Sequence, residues 1–378
     1  MGTGLKTDPL ARVLRLPSGA PFRRLVGVGG IGAGMFFALE GNHDLGRNES
    51  RPGRLLDVRD YCKLHIVAQY PTVLLGARED HGPFHVVPVG KVGIDEIGLR
   101  LRAEMERAGM DVRFVDALPG RPTLLSVCFQ YPDGSGANVT TVDSAAALVG
   151  ERDVDLVERW LSPTAIALAV PEVPLPVRRH LLRRATERGA LRVASFTTAE
   201  IEEARETGFL SLVDLLSVNE DEAAALVGAP FPDGPPEAFL RRLSIAVTAL
   251  RAGVRLVVTA GARGAFAFDR AWTHVPALPV TVVSTAGAGD ALLGGILTGL
   301  AAGLPFVAPG KPDPAGRPLS SAFELGALVA GFKVTSPHTI PPDLSLDAVI
   351  TFAREHGVAL GERLERLLPA DEERRHVS

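Results

Sequence analysis

Residues 284–290 read Ser-Thr-Ala-Gly-Ala-Gly-Asp and run directly into the uncharged segment ALLGGILTGLAAG. Gly287 and Gly289 permit positive φ and close approach of another group, and the apolar run that follows has the length of a buried helix. The first N–H groups of such a helix have no partner within it, so its entrance attracts anions, phosphate above all. Asp290 adds a negative charge where an anion should be welcome. That placement makes chemical sense if the carboxylate takes a proton from an attacking hydroxyl. The plainer reading leaves Asp290 as a helix cap and the glycines as a turn.

Two further constellations lie upstream. Asn219 and Glu222, in LLSVNEDEAAALVG, follow a strand-like run and open a helix, which puts their side chains one turn apart. Such a sparse pair suits Mg²⁺ held through water and substrate phosphates, and equally suits an N-cap with its capping-box acid. Thr259 and Gly261, in LVVTAGARGAFAF, end a strand in a glycine-rich turn whose hydroxyl and N–H groups suit nucleotide phosphate, or form a plain β-turn. Near the N-terminus, Gly27, Gly29 and Gly32 spell GxGxxG after a strand, the fingerprint of an NAD-dependent oxidoreductase. Past Glu40, however, the chain enters the polar stretch GNHDLGRNESRPGR, not a second strand carrying a ribose-binding acid.

The elements that must position these residues alternate. Strands are expected at 24–28, 83–89, 124–130, 165–170, 191–196, 212–218, 255–259 and 265–269. Helices are expected at 96–108, 176–188, 198–207, 220–227, 236–252, 291–302, 320–333 and 346–356. The β-α-β-α order of the second half predicts a mostly parallel sheet with helices on both faces, and ligands at the carboxyl ends of its strands. Residues 61–69 (YCKLHIVAQ) and 124–141 alternate like half-exposed strands, and PDGSG marks a hairpin, which predicts a small β lid with segments near 44–75 and 112–142. Residues 1–20 read as a flexible tail, 305–318 as a surface loop and 362–378 as a charged tail, leaving 21–361 as the folded body.

Composition narrows the function. The chain has 378 residues, 46% of them hydrophobic, and a formal charge of -4 with no basic stripe, so nucleic acid is not an expected partner. Cys62 and Cys128 are the only cysteines and stand in no CxxC or Cys/His cluster, which favours a reducing, cytoplasmic setting without zinc. The N-terminus has no continuous apolar run of a signal peptide. Residues 291–310 carry no charge and space Gly295 and Gly299 as GxxxG, but Gly303 and Pro305 interrupt the run, so a buried helix and no membrane span is expected.

Taken in order, strand–NxxE, VVTAGARGA and STAGAGDALLGG resemble the ribokinase-like (PfkB) family of carbohydrate and nucleoside kinases. The segment 86–101, VVPVGKVGIDEIGLRL, is similar to the family's GxVGxDxxG stretch through Gly93, Asp95 and Gly98. The resemblance implies a three-layer α/β sandwich with a mostly parallel central sheet and a small β-sheet lid. It implies an ATP-dependent kinase acting on a hydroxyl of a sugar, polyol or similar small molecule, with ATP and Mg²⁺, and a homodimer formed through the lid. A requirement for a monovalent cation is left open. By the same resemblance Asp290 is the general base. Ala288, Gly289 and Asp290 offer N–H groups to the transferring phosphoryl, Gly287 shapes the turn, and Asn219 and Glu222 organise Mg²⁺ through water. Thr259, Gly261, Gly264 and Thr285 then line the nucleotide.

The chain departs from the family where it meets the acceptor. Ser284 stands where the glycine motif usually begins with Asp, and the sugar-binding GGxxxN segment is replaced by YCKLHIVAQYPTVLLGARED. Glu40, Asn42, Asp44, Asn48 and Glu49 are the remaining candidates for gripping a polyol, since hydroxyl-rich ligands want carboxylates and amides. This divergence also admits a catalytically inactive ligand-binding protein on the same fold.

Overall fold

The computed structural model describes residues 12–79, 82–132, 136–308 and 318–369. Its strands are β1 Arg24–Val28, β2 Gly32–Leu39, β3 Gly53–Tyr61, β4 His85–Gly93, β5 Val115–Leu118, β6 Leu124–Gln130 and β7 Gly136–Thr140. They continue with β8 Ala165–Ala169, β9 Leu191–Ser195, β10 Leu215–Asn219, β11 Arg255–Thr259, β12 Ala265–Asp269 and β13 Ala271–Val275. The helices are α1 Lys63–Leu74, α2 Glu96–Ala108, α3 Glu151–Asp155, α4 Leu175–Glu187, α5 Ile201–Glu206 and α6 Glu220–Val227. They end with α7 Glu237–Leu250, α8 Ala288–Ala301, α9 Ala322–Val334, α10 Leu346–Glu355 and α11 Glu362–Glu365.

Nine strands build one sheet in the order β13-β12-β11-β10-β9-β8-β1-β4-β5, parallel from β11 to β5 and finished by the antiparallel pair β12 and β13. A parallel sheet covered on both faces needs strands that are apolar throughout; β8, AIALA, is buried at every residue. Alternate side chains serve opposite cores. Leu25, Leu168 and Val257 pack with Val67, Leu293 and Leu328 of α1, α8 and α9 on one face. Val26, Ala167 and Val258 pack with Leu181 and Leu243 of α4 and α7 on the other. The result is the expected mostly parallel three-layer sandwich, with a separate four-stranded sheet β3-β2-β6-β7.

That small sheet differs from the expected one in membership. Strands β2 and β3 take the place expected of 61–69: Tyr61 ends β3, and from Lys63 the segment forms α1 inside the body, ten of its twelve residues buried. The two-residue alternation of YCKLHIVAQ misleads because a helix buried on all sides has no polar face to set a 3.6-residue rhythm. Its polar positions are satisfied or enclosed inside; the Thr72 hydroxyl donates to the Ala68 carbonyl at 2.7 Å.

The termini are also more ordered than expected. Residues 12–20 are not a loose tail: Leu14 is 1% exposed, its N–H donates to Leu74 O at 2.8 Å, and Arg15 N–H reaches Leu367 O at 2.7 Å. In the charged end, α11 buries Leu364 and the chain buries Leu367 after it. Residues 370–378 and most of the expected 305–318 loop, 309–317, lie outside the described residues. The GxxxG pair lies where α8 meets α9, with room for no side chain: a Cβ on Gly295 would stand 2.8 Å from Gly326 Cα, and one on Gly299 2.7 Å from Ala322 Cα. Among the described residues no helix is long and apolar enough to cross a membrane.

Candidate active site

Strands β10 and β11 end side by side, with Asn219 paired to Thr259 in register. Helix α8 starts against them: Thr259 Oγ1 lies 3.8 Å from where a Cβ of Gly289 would be. These ends open onto a cavity of about 580 Å³. Its walls include every nucleotide-side residue named from the sequence, namely Asn219, Glu222, Thr259, Gly261, Gly264, Thr285, Gly287, Ala288, Gly289 and Asp290. The lining combines the charged pair Lys63 and Asp290 with an apolar set that includes Pro276, Leu278, Val280, Ala330 and Val334.

The helix entrance has the geometry of an anion site. Gly287 is the N-cap with φ 76°, a left-handed conformation that costs other residues, and Ala291 N–H already closes the first turn onto Gly287 O at 2.9 Å. One expected donor is spent: Ala288 N–H donates to Thr285 O at 3.1 Å. The turn bends back tightly enough to close that bond, so the amides left for a ligand are those of Gly287, Gly289 and Asp290.

Asn219 and Glu222 form a reciprocal capping box. Asn219 Oδ1 accepts Glu222 N–H at 2.8 Å and Glu222 Oε2 accepts Asn219 N–H at 2.8 Å. The capping reading of NxxE is thus the one the hydrogen bonds show, and the box leaves one carboxylate oxygen and the Asn219 amide nitrogen for the cavity. Burial raises Glu222 to about 7. Among the described residues no cluster of three His, Cys, Asp or Glu can enclose a metal. This donor set fits Mg²⁺ that keeps its waters and leans on phosphate oxygens, and does not fit a protein-built cage.

Sequence reading overlooked the charged groups facing Asp290. Lys63 Nζ lies 3.5 Å from Asp290 Oδ1, and the Asp290 carboxylate, aided by Glu172, raises its pKa despite burial. Glu172 follows β8 with φ 75° and accepts Lys63 N–H at 3.0 Å, capping α1. Burial pushes it up to about 7, with Asp290 adding to the rise. Asp60, at the end of β3, is raised by burial to about 6. Lys63 and Asp60 belong to α1 and β3, elements whose sequence signal was weak, whereas Glu172 follows the readable strand β8, where a polar residue just past an apolar strand was the available hint.

The polyol candidates are elsewhere. Glu40, Asn42, Asp44, Asn48 and Glu49 sit in the loop joining β2 and β3, and none lines the cavity. The loop begins after Leu39, roughly 15 Å along β2 from Gly34, which pairs with Asp60. Glu49 is engaged locally by Arg51 Nε at 2.6 Å, Gly46 N–H at 2.8 Å and His43 at 3.1 Å. The NAD fingerprint fails too. The turn after β1 leads into β2, not a helix, so there is no N-terminus to receive a pyrophosphate. A Cβ on Gly27 would stand 2.6 Å from Leu64 Cδ1, so close packing on α1 accounts for that glycine.

The pfkB family carbohydrate kinase model matches residues 77–345. The chain belongs to that family. It is 27% identical over 253 residues to the bifunctional ribokinase/ribose-5-phosphate isomerase A of Fructilactobacillus sanfranciscensis, covering 66% of this chain and 44% of that protein. It is 38% identical over 76 residues to fructoselysine 6-kinase of Escherichia coli, covering 20% of this chain and 29% of that one. The chain thus spans less than half the length of these curated relatives. In fold it is similar to the ribokinase of Giardia lamblia, with a TM-score of 0.70 at 16% identity over 87% of this chain and 99% of that one. It is likewise similar to the ribokinase of Arabidopsis thaliana solved with ribose and ATP, with a TM-score of 0.65 at 19% identity over 88% and 98%. The glycine turn, the NxxE pair and the TxGxxG turn all lie within the matched span and line the cavity.

Proposed function

We propose that this chain transfers the γ-phosphoryl of ATP to a hydroxyl of a sugar or sugar-like small molecule. The observation that carries the proposal is the joining of Asp290, the free amides of Gly287, Gly289 and Asp290, and Lys63 in the wall of one cavity. The apolar lining residues take the adenine and Thr259, Gly261, Gly264 and Thr285 follow the phosphates. The acceptor hydroxyl lies against Asp290, which removes its proton as the bond to the γ-phosphorus forms and the bond from that phosphorus to the bridging oxygen breaks, releasing ADP. The α8 amides and the Lys63 ammonium hold the charge of the phosphoryl in flight, and this positioning is most of what phosphoryl transfer asks of a protein. Mg²⁺, when bound, neutralises phosphate charge; Asn219 and Glu222 are the residues that hold its water shell.

The small sheet serves as the lid. Met35, Val127 and Val139 stand in one cross-strand row and Leu55, Phe37 and Phe129 in another on the same face. Val139 is 66% exposed and Leu55 60%. An apolar face of this kind suits a second copy of the chain. Cys62 and Cys128 are unpaired, which suits a reducing cytoplasm.

The test is a screen of sugars, polyols, amino-sugar conjugates and nucleosides with ATP and Mg²⁺, following ADP release and the phosphorylated product together. Product matching ADP one to one with at least one acceptor supports the kinase. Tight nucleotide binding with no phosphorylated product from any acceptor favours the inactive binding protein.

A further inference from the structure

Lys333 is a buried charged side chain that the proposed chemistry leaves without a task. It is 0% exposed at the last turn of α9, and burial lowers its pKa to about 8, with the nearby Asp60 opposing the shift. A lysine so enclosed is costly, and an apolar residue fills such a position more cheaply unless the charge is used. Its Nζ donates to the carbonyl of Ser284 at 2.9 Å.

That carbonyl opens the glycine turn, and the same stretch is clipped to α9 by its backbone. Val283 N–H and Ser284 N–H both donate to Val334 O, at 2.8 and 3.2 Å. Further along, a Cβ on Gly287 would lie 3.1 Å from Thr339 Cβ, so the chain after α9 floors the whole turn. A peptide unit points its N–H and C=O in opposite directions. A turn that aims its amides at a phosphoryl in the cavity therefore aims carbonyl oxygens backward; Thr285 O and Gly287 O are taken by the Ala288 and Ala291 N–H groups, and the Ser284 carbonyl is the one that calls for a cation behind the turn.

We propose that the Lys333 ammonium is that cation: a tethered positive charge beneath residues 284–287 that sets the anion site and spares it a free monovalent cation. Lys333 acts through the turn, as a positioning residue, and touches neither substrate. The proposal rests on the nucleotide reading of the cavity and answers the question of monovalent-cation dependence that the family resemblance leaves open.

Binding of a non-hydrolysable ATP analogue with Mg²⁺, measured by calorimetry on the full chain, tests it. In buffer whose only monovalent cation is tetramethylammonium, the wild type is expected to bind as tightly as in potassium chloride, within about twofold. Lys333→Ala is expected to lose about tenfold or more in tetramethylammonium, the worth of one charged hydrogen bond. Added potassium or ammonium then restores part of the loss in Lys333→Ala and none in Lys333→Met, whose side chain fills the space. Wild-type binding that requires potassium overturns the proposal, and this comparison needs no variant to fold. So does a folded Lys333→Met that binds like the wild type. Absence of analogue binding in every salt removes the nucleotide reading and this proposal with it, whereas potassium-dependent binding removes the role of Lys333 alone.

Discussion

The Asp290 carboxylate stands 3.5 Å from the Lys63 ammonium, a contact between residues 227 positions apart in the chain. One belongs to the glycine-turn helix and the other to the segment where the family's sugar motif has been replaced. The contact ties the recognisable half of the site to the diverged half. Lys63→Ala is expected to lower turnover about 10²-fold, by removing a charge aimed at the transition state, while changing the apparent affinity for ATP far less. Steady-state kinetics with the best acceptor checks this; unchanged turnover would make the pair a structural contact only.

Gly287 and Gly289 separate two roles that the sequence presents as one motif. Gly287→Ala places a Cβ in left-handed backbone, 3.1 Å from Thr339 Cβ, and is expected to cost about 1–2 kcal/mol and lower the melting temperature. Gly289→Ala has its nearest neighbour at 3.7 Å and is expected to leave stability unchanged or raise it by up to about 1 kcal/mol. Its methyl group enters the cavity, however, so turnover should fall. Thermal unfolding beside kinetics distinguishes the two.

Glu172 and Glu222 both titrate near 7 in the folded chain, well above an unfolded glutamate, because burial penalises their charge. Between the unfolded and folded values the native state binds the extra protons, so the contribution of these two groups to stability is fully present below about 4.5 and declines as pH rises to about 7. Each group adds a slope of up to about 1.4 kcal/mol per pH unit over that window. Denaturant unfolding from pH 5 to 8 should show the decline, and Glu222→Gln should flatten it. A stability that rises across the window contradicts the burial of these carboxyls.

Legibility in the sequence followed from how local each signal was. The parallel strands and their helices were readable because strands such as β8 are short continuous apolar runs and helices such as α2 carry their own stop and start residues. Asp95 caps α2 by accepting Gly98 N–H at 2.8 Å and also ties down Thr123 N–H at 2.7 Å, so that family motif is architectural here. Helix α1 was unreadable because its surroundings, not its own periodicity, make it helical. The same cause hid Lys63. The nucleotide-side residues could be named because each lies within a few residues of a strand end or helix start. Asp60, Glu172 and Lys333 reach the site only through tertiary packing, and the polar 40–49 loop, rich in suitable side chains, was placed away from it.

The apolar rows on the small sheet carry their own expectation. Light scattering of the purified chain should show a dimer, and Leu55→Asp with Val139→Asp should shift it to monomer without lowering the melting temperature of the body. A wild-type monomer at all concentrations would leave that face to other partners.

The central claim is that Asp290 is the base of a phosphoryl transfer. The direct measurement is turnover of Asp290→Asn with the acceptor found in the screen, beside its affinity for a non-hydrolysable ATP analogue. The expected result is a loss of about 10²–10⁴ in kcat with analogue binding retained within a few-fold. Near wild-type turnover in a normally folded Asp290→Asn would contradict it.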